Sequence, residues 1–115
     1  MAFTEEEQKQ WEPMVASFIV EERPPEEIRP KLDIGYTINN QSIIIYTLRP
    51  RWNQPEEKVE IPAAKITWVR RRRIWKVYWQ RADMNWHIYD PLPETDRLEE
   101  FIDELKEDPR ACFWG

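Results

Sequence analysis

Apolar side chains fall at Trp11, Met14, Val15, Phe18 and Ile19, the spacing that lines one side of an α-helix. Thr4 stands three residues before Glu7, a capping-box pattern, and acidic residues fill the first turn, where the helix dipole favours them. Together they predict a helix over residues 4–22. Pro13 lies inside it and either kinks the helix or marks a fresh start, because proline has no N–H for the ladder. A second stripe, Leu98, Phe101, Ile102 and Leu105, predicts a helix over residues 96–107, with Asp96 and Glu99 as its capping pair.

Between these stripes the period shortens to that of a strand. Leu32 to Ile38 alternates apolar with polar residues, Asn39-Asn40 is turn chemistry, and Ser42 to Leu48 is β-branched and apolar. The run Ile43-Ile44-Ile45 implies burial on both faces and so an interior strand. Pro50 to Pro55 reads as a loop with Trp52 folded over as a lid. Lys58 to Ile61 reads as a short edge strand that Pro62 ends.

The stretch Lys65 to Tyr89 reads as two consecutive hairpins. With Arg71 and Arg72 as a two-residue turn, Trp68 faces Trp75 and Ile66 faces Val77. Trp79, Trp86 and Ile88 are expected on that same apolar side, beneath the helices. The opposite side then carries Lys65, Thr67, Lys76, Tyr78, Gln80, His87 and Tyr89, with Arg70, Arg71, Arg72 and Arg73 at the tip. The fold class is α+β: an antiparallel meander of four to five strands with the N- and C-terminal helices packed on one face, in a single domain over residues 1–115.

Composition removes several chemistries. Two glycines leave no material for a glycine-rich phosphate loop. One cysteine, Cys112, and one histidine exclude a disulfide framework and a multi-cysteine metal site, so no cofactor or metal is expected. The acidic, polar N-terminal stretch is not a secretion signal, and no apolar run approaches the roughly 20 residues of a membrane span. A cytoplasmic protein is expected.

The net charge of −5 is unevenly distributed. Residues 1–30 hold eight acids and three bases, residues 31–89 five and eleven, and residues 90–115 nine and three. A basic middle between acidic ends steers partners through a local field. Flat rings beside cations on the Lys65/Tyr78 side suit an aromatic-rich protein interface. They equally suit base stacking with phosphate neutralisation. Lysine, threonine, glutamine and tyrosine are also what a solvated sheet face carries. The arginine run is either a solvated turn paired to the acidic helices or a seat for an anionic partner.

Catalytic candidates are sparse. His87 has no neighbouring nucleophile in sequence, and Cys112 has no evident base. Asp33, Glu60, Asp83 and Asp90 could assemble a metal site only if the fold gathers them.

Arg23–Tyr36, Leu48–Trp52, Ala64–Tyr89 and the terminal Cys-Phe-Trp-Gly together resemble a family of small uncharacterised bacterial proteins catalogued as domain of unknown function 3024. The resemblance implies a bacterial, stand-alone domain and carries no activity or site residue. The expected function is a non-enzymatic interaction module, self-associating or docking another protein. The alternatives are nucleic-acid binding by the same face and, after it, a metal-dependent hydrolase.

Overall fold

The structure, a computed structural model, describes residues 2–114. The chain runs α1 (Glu5–Glu22), β1 (Asp33–Asn39), β2 (Ser42–Arg51), β3 (Gln54–Val69), β4 (Ile74–Gln80), β5 (Trp86–Ile88), β6 (Glu94–Thr95) and α2 (Leu98–Glu107). Every pairing is antiparallel; β1 to β5 lie in chain order, and β6 pairs with β4 beyond the end of β5. This is the expected α+β meander with one strand more. A two-residue strand is too short for alternation to reveal.

The Thr4 capping box forms, with Thr4 N donating to Glu7 Oε1 at 2.9 Å and Glu7 N donating to Thr4 Oγ1 at 3.1 Å. The helix runs unbroken through Pro13, which is exposed while Trp11, Val15 and Phe18 are buried. The Asp96/Glu99 cap does not form. Arg97 occupies the cap position without a side-chain bond, and α2 starts at Leu98. Thr95, held in the ladder opposite Trp75, takes part of that role, accepting from Arg97 N at 3.0 Å and donating to Glu100 Oε1 at 2.9 Å.

Both helices lie on one face of the sheet. Their buried stripes join Ile34, Ile43, Ile45, Ile66, Trp75 and Val77 in a single core. The Trp68–Trp75 and Ile66–Val77 pairs form as expected, although the turn spans four residues, Arg70–Arg73, with Arg73 at φ 53°. A four-residue connection leaves the same residues opposite each other as a two-residue one, because two residues are added symmetrically.

The middle of the chain departs from expectation. No loop opens at Pro50–Pro55 and no strand ends at Pro62; β3 runs through as one 16-residue strand. Between the pairs Ile45–Ala64 and Tyr46–Pro62 the ladder steps, leaving Ala63 as the extra residue of a bulge. A bulge is where a sheet tolerates proline.

Past Leu48, the last residue of β2 with a β1 partner, β2 and β3 continue as a two-stranded arm to a turn at Trp52-Asn53. Trp52 is 93% exposed at the tip of this arm and covers nothing. The expectation of a lid assumed a chain that doubles back, whereas the paired strands hold the turn away from the body. The molecule is accordingly elongated, 45 × 29 × 26 Å.

The C-terminal tail docks. Asp108 ends α2 in the left-handed region at φ 39°, and its carboxylate accepts from the backbone N–H of Phe113 and Trp114 at 3.1 and 3.0 Å. Phe113 enters the core.

Candidate functional site

The sheet face away from the helices is built by strand alternation. β2 turns Ile43, Ile45 and Thr47 to the core, so Ser42, Ile44, Tyr46 and Leu48 point the other way. From β3 come Lys65 and Thr67, and from β4 Lys76, Tyr78 and Gln80, all on the face where the sequence places them. Ser42 Oγ and Thr67 Oγ1 share a hydrogen bond of 2.7 Å across the strands. Gln80 Nε2 donates to Met84 O at 3.1 Å.

β5 faces opposite to expectation, which removes His87 and Tyr89 from this surface. The register sets Tyr78 opposite Ile88, Trp79 opposite His87 and Gln80 opposite Trp86. Trp86 and Ile88 therefore join Tyr78 on the uncovered face, Ile88 at 56% exposure. Tyr89 is fully buried in the core, and its hydroxyl donates to Glu104 Oε2 at 2.7 Å. Burial first, and then the Glu104 carboxylate, push its phenol pKa upward. The deciding feature is the five-residue connection Arg81–Asn85, whose odd length shifts every facing by one. A count of turn residues could have found it; composition could not.

At the centre of the face Lys65 Nζ lies over two rings, 5.1 Å from the Tyr78 centroid and 5.5 Å from that of Trp86. Such contacts hold a cation against aromatic faces and mask its charge. Tyr46 lies across Gly35, where a β-carbon would stand 2.7 Å from its hydroxyl. That glycine is the space in which the ring lies flat. Burial, then Glu60 and Asp33, raise the Tyr46 phenol pKa. Glu60 opposite Leu48 and Glu94 opposite Lys76 place acids on the same face as the two lysines.

The arginine tip is partly neutralised within the chain. Arg70 Nε donates to Glu7 Oε2 at 2.7 Å, and Arg72 makes a two-pronged contact with Glu94 at 3.0 Å. The Arg70 guanidinium first, then the Thr4 N–H, hold the Glu7 carboxyl at about 2.

His87 sits at the edge of the helix-covered face, with Nε2 2.9 Å from Asp83 Oδ2. The backbone N–H of Asn85 and then His87 lower the Asp83 pKa. Cys112 is half-buried, and burial followed by Asp108 pushes its thiol up, away from a reactive thiolate. Asp33 is engaged by Arg23 at 2.7 Å. Among the described residues no three His, Cys, Asp or Glu side chains come together in a way that could hold a metal ion. No described helix is long and apolar enough to cross a membrane.

A groove of about 410 Å³ opens at the end of the molecule where α1 and α2 begin, with Phe3, Trp11, Met14 and Trp68 in its walls and Asp96 and Glu99 among its polar lining. Trp68 and Trp75 pack with their rings tilted by 51° and centroids 5.0 Å apart in this wall.

No curated protein and no solved structure matches the chain. A family model described as a domain of unknown function, DUF3024, matches residues 3–115. The chain therefore belongs to the DUF3024 family over nearly its whole length.

Proposed function

We propose that the protein is a non-enzymatic interaction module whose uncovered sheet face packs against the same face of a second copy. The observation that carries this is the row Ile44, Lys65, Tyr78 and Ile88 across β2 to β5, with Tyr46 and Trp86 beside it, lying on the face away from both helices. Aromatic residues of this kind dominate the buried centres of protein interfaces. The face also carries both signs, Lys65 and Lys76 beside Glu60 and Glu94, so a two-fold axis can set each sign against its opposite. The same balance disfavours a nucleic acid, which needs a positive track along the backbone. Arg70 and Arg72 are already satisfied by glutamates, which weakens the anionic reading of the tip further.

Light scattering across a dilution series tests the reading. At the dilute end of the series a dimer is expected for the native chain and a monomer for Tyr78→Glu, with unchanged circular dichroism. Unchanged assembly in that variant removes the face from the interface. Salt-sensitive binding of a labelled single-stranded oligonucleotide would favour the nucleic-acid alternative instead.

A further inference from the structure

The chain carries an aromatic knob at one end and an aromatic hole at the other. The knob is Trp52, 93% exposed on a two-residue turn. Exposure of a whole indole stabilises nothing in the monomer, and tryptophan is the residue most enriched among side chains that anchor interfaces. The arm that presents it is paired on itself alone, and its ladder steps once more just below the tip, between Pro50–Lys58 and Arg51–Gln54.

The hole is the groove at the start of the two helices, about 410 Å³ in volume and walled by Phe3, Trp11, Met14 and Trp68. This is within the size range of sites that enclose small organic groups, and an indole is one. The two features cannot meet within one molecule. β3 runs from Gln54, beside the knob, to Trp68, in the wall of the hole, and at roughly 3.3 Å per residue this separation takes up most of the molecule's length. Net charge agrees with contact between copies: Arg51, paired to Glu57, adjoins Trp52, whereas the groove lining holds Glu7, Asp96 and Glu99 against Arg97 alone.

We infer that Trp52 of one copy seats in the helix-end groove of the next, a head-to-tail contact distinct from the two-fold sheet contact proposed above. A head-to-tail contact does not use itself up, so it builds rings or chains. It rests on neither Tyr78 nor Lys65 and stands if the sheet-face reading fails.

Sedimentation velocity on the full chain tests it. The native chain should form concentration-dependent species larger than a dimer. Trp52→Ala should weaken that step by about tenfold or more, as loss of an anchoring aromatic does. It should leave any Tyr78-dependent dimer in place. Asp96→Arg with Glu99→Arg should have the same effect from the other side.

Complementation supplies the stricter arm. With Tyr78→Glu added to both so that the sheet face is blocked, Trp52→Ala keeps its groove and the double arginine variant keeps its knob, so mixing the two should restore a one-to-one complex that grows no further. A native chain that never exceeds a dimer, a Trp52→Ala chain that assembles as the native one does, or a mixture that forms no complex would each overturn the inference. Tyr78→Glu read in the same experiment reports on the sheet face separately.

Discussion

Glu7 shows how one side chain ties distant parts of the chain together. Its carboxylate accepts from Thr4 at the start of α1, from Trp68 Nε1 at 2.9 Å and from Arg70 beyond the end of β3. These donors hold its pKa at about 2, below the ordinary 4.5. A depressed carboxyl contributes stability that is fully present above its unfolded value and is lost as pH falls through its folded value. The Glu7 contribution is therefore intact above about pH 4.5, declines from there, and is gone below about 2. Glu7→Gln should flatten this acid limb while lowering stability at neutral pH. Urea midpoints measured across that range for both proteins check it. Tyr36 behaves in the opposite sense: burial, then Glu12, push its phenol up to about 12, so it remains protonated and donates to Glu12 Oε2 at 2.8 Å.

At the scale of elements, α2 is bound through four apolar residues on a short helix, and Phe101 is its most enclosed aromatic. Phe101→Ala should cost about 3–5 kcal/mol by transfer and cavity terms together, read as a lowered urea midpoint with an unchanged slope. That helix was legible in sequence because Leu98, Phe101, Ile102 and Leu105 repeat at helical spacing. The Trp68–Trp75 hairpin was legible because its symmetric turn leaves facing unaltered whether two or four residues belong to it. β5 was not, since three residues give alternation nothing to settle on and parity passed to the length of the Arg81–Asn85 connection. Of the candidate face, Lys65, Thr67, Lys76, Tyr78 and Gln80 were placed by strands long enough to specify themselves. His87 and Tyr89 depended on β5, and Trp86 and Ile88 take their places. Pro62 misled for a related reason: the rule that proline ends a central strand holds only where no bulge receives it.

For the molecule as a whole, the core is concentrated under the two helices and the arm lies outside it. Residues 49–59 of β2 and β3 pair with no third strand, whereas Ala64 and Ile66 are fully buried between β2 and β4. Local opening requires little there, because few apolar contacts are lost. Amide hydrogen exchange should therefore grade along β3, fast from Gln54 to about Glu60 and slow from Ala64 to Trp68. Strong protection of the arm in a monomeric sample would contradict this layout. The charge division follows the same axis of organisation: acidic helices on one side, the arginine turn drawn back to them through Arg70 and Glu7, and a sheet surface of mixed sign on the other.

The unpaired Ala63 acts as a phase shifter for the longest strand. Even-numbered residues from Ala64 to Trp68 look toward the helices, but below the step it is Ile61 and Val59 that continue that side. Lengthening or shortening the paired stretch between Lys58 and Pro62 by one residue would turn the half beyond it inside out, while a change of two would preserve its orientation. Natural length variation in this stretch should accordingly come in pairs, with single-residue differences confined to chains in which the step itself has been gained or lost.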